Sequence, residues 1–75
     1  MAKSRPVHER VHDHVSLAGV THAELAKRTG WSEQRVYRVL NGKTDLSAED
    51  MELIAGVLGK PVAALYRDPE AKKAS

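Results

Sequence analysis

Residues 21–42 run T-H-A-E-L-A-K-R-T-G-W-S-E-Q-R-V-Y-R-V-L-N-G. Thr21 is an N-cap residue, and Glu24 three positions on completes a capping box. Leu25 and Ala26 give the helix that follows an apolar side. Gly30 stands where a helix stops in the left-handed conformation, which glycine adopts without steric cost. Ser32 is a second N-cap. It opens a helix whose Val36, Val39 and Leu40 share one face and point inward. Asn41-Gly42 is a second helix stop. The stretch therefore predicts two short capped helices joined by a tight turn.

Two such helices make a helix-turn-helix, a unit that can lay its second helix in the DNA major groove. The ordered pattern T-x-x-E-L-A, then G-x-S, then an apolar residue four after the serine, then N-G-K, resembles the Cro/repressor-type (Xre-like) helix-turn-helix family. With its flanks the resemblance covers residues 7–66. It implies an all-α, compact five-helix, lambda-repressor-like domain, with the helix-turn-helix at the second and third helices. It also implies operator DNA as the partner, commonly bound by a dimer.

Working outward, the 75 residues make one small domain, with a core expected over residues 5–67 and loose tails at 1–4 and 68–75. A core of this size is modest, so packing defects are costly. The chain has no cysteine, which excludes a disulfide framework and a thiolate metal site. No apolar run approaches the ~18 residues that span a membrane, and M-A-K-S-R-P at the start lacks the apolar region of a signal peptide. A cytoplasmic protein is the expectation. Formal net charge is only +2, but it is unevenly spread. Residues 22–43 hold five basic side chains (Lys27, Arg28, Arg35, Arg38, Lys43) against Glu24 and Glu33. Residues 44–59 hold Asp45, Glu49, Asp50 and Glu52 and nothing basic. The positive lobe coincides with the helix-turn-helix, as a phosphate-facing surface requires.

Before the helix-turn-helix, a helix is predicted over residues 5–18, with Ser4 as cap and Pro6 in the first turn. Val7, Val11, Val15 and Ala18 fall on its core face. Lys3 and Arg5 in the arm are within the class of residues that touch phosphates. The same helix contains His8-Glu9-Arg10-Val11-His12, which matches the H-E-x-x-H pattern of zinc peptidases. Two histidines four apart share a face and can chelate a metal, yet a catalytic site needs a third ligand and a walled cleft. Asp13, His14 or Glu24 is a conceivable third ligand, but no downstream ligand motif follows, and Arg10 sits where such peptidases have an uncharged residue. The motif reads as a solvated polar face, with adventitious zinc or nickel binding as the lesser alternative. No metal, no cofactor, no small-molecule substrate and no enzymatic activity are expected.

After it, Leu46 plugs the core from a connecting loop. Ser47 caps a fourth helix, with Asp50 in the reciprocal capping position. Met51, Ile54, Ala55 and Leu58 form its core stripe, while Asp50 and Glu52 are expected to face water. Pro61 starts a short fifth helix to about residue 66, with Val62 and Leu65 inward. Val57, Val62, Leu65 and Tyr66 exceed the apparent needs of the core, which points to a weak homodimer.

The reading surface follows by elimination. Once Val36, Val39 and Leu40 face inward, Glu33, Gln34, Tyr37 and Arg38 are left outward, nearest the groove. The resemblance implies base contacts from the first, second and sixth residues after the cap, which are Glu33, Gln34 and Arg38. Hydrogen-bond geometry pairs Arg with guanine, Gln with adenine and Glu with the cytosine amino group. For phosphates, the free N–H groups at Thr21 and His22 begin the second helix; the resemblance implies a glutamine clamp where His22 stands. Lys43, Arg35, Ser32 and Asn41 complete the expected phosphate set. Trp31 reads as a lid on the core. Where relatives carry an Arg–Glu ion pair between the first and third helices, this chain has Val15 and Leu40, avoiding the desolvation cost of buried charge.

The function these features point to is a sequence-specific double-stranded DNA-binding transcriptional regulator, Cro- or phage-repressor-like. The alternatives are a protein-interaction module such as an antitoxin, or an architectural or recombination accessory factor on the same fold.

Overall fold

The computed structural model describes residues 6–69. Among these, five helices and no strand are present: α1 (Val7–Leu17), α2 (His22–Thr29), α3 (Glu33–Leu40), α4 (Ala48–Leu58) and α5 (Val62–Leu65). They pack around Val11, Val15, Leu25, Ala26, Val36, Val39, Leu40, Met51, Ile54, Ala55 and Leu65, all buried. The all-α five-helix expectation is met. Val15 and Leu40 are both buried, so the apolar pair does lie in the core.

The caps work largely as local chemistry dictates. The N–H of Glu24 donates to Thr21 Oγ1 at 3.1 Å, that of Arg35 to Ser32 Oγ at 3.1 Å, and that of Asp50 to Ser47 Oγ at 3.1 Å. Each satisfies a donor that the first helical turn would otherwise leave unpaired. Only α4 closes the full capping box, through Asp50. Glu24 does not return the bond expected of it; its carboxylate accepts from Arg28 one turn on, at 2.9 Å.

Gly42 has φ 75°, and the turn around it ends α3 with paired bonds. The N–H of Lys43 donates to the Arg38 carbonyl at 2.9 Å and that of Gly42 to the Val39 carbonyl at 3.4 Å, a Schellman closure. A Cβ at this position would fall 2.5 Å from the His8 ring. The positive φ demands glycine here, and a side chain would also have to displace the His8 ring.

The structure also departs from expectation in α1 and α4. Helix α1 starts at Val7 with Pro6 as its N-cap residue, one position earlier than the first-turn place expected; Ser4 and Arg5 lie outside the described residues, as do the arm at 1–4 and residues 70–75. Ala18 is exposed rather than core, because α1 ends at Leu17 and turns away. His14 takes the buried place instead, at 3% exposure. Asp50 does not face water: it is 6% exposed, bonded both to its own helix cap and to Arg35.

The exit of the chain is tied to α1. Arg10 Nη1 donates to the Tyr66 carbonyl at 2.7 Å, its Nε lies 3.5 Å from Asp68 Oδ1, and a His14 ring nitrogen lies 2.9 Å from the Arg67 carbonyl. Pro69 is buried. Of the two residues read from sequence as the start of a loose tail, Pro69 is thus packed, and Asp68 is exposed but paired with Arg10. Leu65 is fully buried in the core, so of the apolar residues assigned to self-association only Tyr66 is well exposed.

Candidate nucleic-acid interface

Helix α3 is eight residues long, and three of them, Val36, Val39 and Leu40, are sunk in the core. That fixes which way the rest point. Glu33, Gln34, Tyr37 and Arg38 are all exposed; Gln34 and Arg38 lie opposite the core stripe, Tyr37 flanks it, and Glu33 is open in the first turn. Tyr37 shows half its surface to solvent although it is aromatic. A solvent-facing stripe of two amide or carboxylate groups, a phenol and a guanidinium is able to donate and accept along the edges of bases.

The flanks of that stripe hold the expected phosphate set. Thr21 and Ser32 sit at the N-caps of α2 and α3, and both are exposed. Each hydroxyl oxygen already accepts a backbone N–H, which leaves its O–H proton to donate outward. His22 is half-buried as the first residue of α2, with its ring edge-on to His12 at a centroid separation of 6.4 Å. Asn41 is exposed, and one of its amide hydrogens is given to the Tyr37 carbonyl at 2.8 Å, where it covers the end of α3. Lys43 is exposed just past Gly42.

Two of the five cations in this lobe are matched internally. Arg28 pairs with Glu24 at 2.9 Å, and Arg35 pairs with Asp50 at 3.0 Å. Lys27, Arg38 and Lys43 make no ion pair among the described residues. The excess positive charge is therefore carried by one residue on the outward stripe of α3, one just past its end and one on α2.

Arg35 is the residue whose setting differs most from the sequence reading. Its guanidinium carbon stacks 4.7 Å from the centroid of Trp31, a cation–π contact, while Nη2 reaches Asp50. Trp31 is half-buried against the core, the lid expected of it, and also a platform for this guanidinium. Nothing in the helical periodicity signals that Arg35 and Asp50, fifteen positions apart, would meet.

The H-E-x-x-H residues are placed by packing. The His8 ring lies against Gly42 and the His12 ring against His22, so the two histidines contact opposite ends of the helix-turn-helix. Among the described residues no group of three or more His, Asp or Glu side chains is arranged to hold a metal ion. Nor, among them, is any helix long and apolar enough to cross a membrane.

The family model described as helix-turn-helix matches residues 17–65, from the end of α1 through α5. No curated protein and no solved structure gives a significant match to the chain.

Proposed function

Because the chain belongs to the Xre/Cro-like helix-turn-helix family, a family of DNA-binding regulators, we propose that it is a sequence-specific double-stranded DNA-binding transcriptional regulator of the Cro or repressor kind, which enters the major groove with α3. The observation that carries this reading is the outward stripe Glu33, Gln34, Tyr37 and Arg38, flanked by cations that make no ion pair within the described residues. Arg38, Gln34 and Glu33 read bases, with Tyr37 beside them. Thr21, His22, Ser32, Asn41 and Lys43 hold the sugar-phosphate backbone and set the register without reading sequence. The protein works in the cytoplasm, where duplex DNA is accessible to it. Tyr66, exposed just after α5, supports weak self-association that tightens on paired half-sites.

The decisive experiment is selection of bound duplexes from a random pool by the full chain. Enrichment of one motif of about four to six positions per half-site, the span one helix reaches in the groove, is expected. A pool that is retained but stays random across the salt range would sink the sequence-reading proposal and favour an architectural factor, and no retention of any duplex at low salt would favour an interaction module.

A further inference from the structure

The N-terminal turn of α3 is bonded to the N-terminal turn of α4 through a single continuous chain of contacts. Ser32 Oγ accepts the N–H of Arg35 at 3.1 Å. The side chain of that same Arg35 donates to Asp50 Oδ1 at 3.0 Å. The second oxygen, Oδ2, accepts the N–H of Ser47 at 3.3 Å, and Ser47 Oγ accepts the N–H of Asp50 at 3.1 Å. Trp31, in the turn before α3, lies under the guanidinium at 4.7 Å. The Asp50 side chain is only 9% exposed, whereas that of Arg35 is 45% exposed. The carboxylate is the fixed end of the pair, held by its helix cap, and the arginine reaches to it.

This geometry suits arginine and no other cation. A planar guanidinium can lay one face on an indole while its edge donates to a carboxylate; an ammonium is a point charge that cannot do both. Solvent screens such a half-exposed pair, so its net contribution to stability is small. Its effect is on direction. The core holds α3 through Val36, Val39 and Leu40, which lie along one stripe. That stripe settles which side of α3 faces inward. A second attachment off the stripe, at Arg35, restrains the small rolling motions that remain about the helix axis. Glu33 and Gln34 directly precede the attachment, so it sharpens their direction.

We propose that Arg35 is a positioning residue for sequence reading: the Trp31–Arg35–Asp50 brace fixes the roll of α3 and hence the presentation of Glu33, Gln34 and Arg38, in place of the phosphate contact its charge first indicates. The inference rests on the DNA-reading proposal above and says how that face is aligned.

The test compares wild type with Arg35→Lys, Arg35→Gln, Asp50→Asn and the Arg35→Gln/Asp50→Asn double variant. Each full chain is titrated with the selected operator and with a scrambled duplex over a range of salt, well below its melting temperature. Asparagine keeps an oxygen for the Ser47 N–H, so Asp50→Asn removes the brace while sparing the cap. A positioning role predicts that the operator-to-scrambled affinity ratio falls about three- to tenfold in every single variant, Arg35→Lys included. It also predicts an unchanged salt slope and a double variant no worse than either single one. A fold defect alone lowers binding to both duplexes together and leaves their ratio intact, and that result overturns the proposal. A phosphate contact shows itself as equal loss on both duplexes with a salt slope smaller by about one in Arg35→Gln but not in Asp50→Asn, and this too overturns it. Wild type that binds no duplex overturns the DNA reading first and the positioning role with it. Wild type that selects an operator, with variants that keep its preference, overturns the positioning role alone.

Discussion

The ammonium of Lys60 lies 2.8 Å from Nδ1 of His14. A lysine ammonium has only hydrogens to give, so Nδ1 accepts. The other ring nitrogen, Nε2, then carries the hydrogen and donates it to the Arg67 carbonyl at 2.9 Å. A ring on α1 thus joins the segment after α4 to the segment after α5, across 46 and 53 residues of sequence.

His14→Ala is therefore expected to destabilise the domain by roughly 2 kcal/mol, through two lost hydrogen bonds and a carbonyl left without its donor. Lys60→Met should cost about 1 kcal/mol, since it removes one hydrogen bond and leaves Nδ1 of the buried His14 without its donor. Urea unfolding followed by circular dichroism reads both. Equal costs for the two would show that His14 matters through Lys60 alone.

Gly42 and Gly30 offer an internal comparison. Both have positive φ, but a Cβ at Gly30 meets nothing within 4 Å while one at Gly42 meets the His8 ring at 2.5 Å. Gly30→Ala should cost about 1 kcal/mol, the conformational part alone. Gly42→Ala should cost more, and the excess should disappear in a His8→Ala background. Persistence of the excess there would mean that the ring is not what excludes a side chain.

The frame of the fold was legible in sequence because it is written in local chemistry. Thr21, Ser32 and Ser47 each cap the helix they precede, and Val36, Val39 and Leu40 face inward as their spacing requires. The outward stripe of α3 followed from the same spacing. What escaped was tertiary. Ala18 came out because α1 ends at Leu17, while His14, three residues after Val11, lies on the Val11–Val15 face and its polarity masked that placement. Asp50 was read from helix periodicity as solvated, and no local signal announced Arg35 as its partner. The same gap hid the site's alignment: direction on a helix is a local property, whereas an attachment between two helices depends on where the chain returns.

Affinity for duplex DNA should fall steeply with salt, because each phosphate neutralised releases counterions. Lys43 is exposed and makes no ion pair among the described residues, so Lys43→Ala should weaken operator and scrambled duplex by the same factor and reduce the salt slope by about one. Fluorescence anisotropy at several salt concentrations measures this. Affinity that stays flat with salt would count against a phosphate-facing lobe.

Arg38 bears on specificity. It is exposed on α3, caps nothing and makes no ion pair among the described residues. A guanidinium can donate two bonds to O6 and N7 of one guanine. Arg38→Ala should cost about 1–3 kcal/mol on the selected operator and relax preference at one base position. Equal loss on a scrambled duplex would reassign Arg38 to the backbone.

The H-E-x-x-H histidines yield a last expectation. Since His8 and His12 are engaged with Gly42 and His22, a strong chelator should leave both the melting temperature and DNA binding unchanged. Stoichiometric zinc in the purified protein, with unfolding on chelation, would reverse this.

Helices α2 and α3 are only eight residues each. Isolated helices shorter than ~12–15 residues are marginal in water. A peptide cut to residues 21–42 should therefore have no standing surface to offer, however well its caps are chosen. The outward stripe exists only while the whole core is closed, so ligand occupancy and cellular lifetime become one variable. A buried substitution costing ~1–2 kcal/mol, such as Val11→Ala on the far helix, would act as a change of dose, exposing more chain to proteases and lowering abundance without touching any residue that meets the duplex.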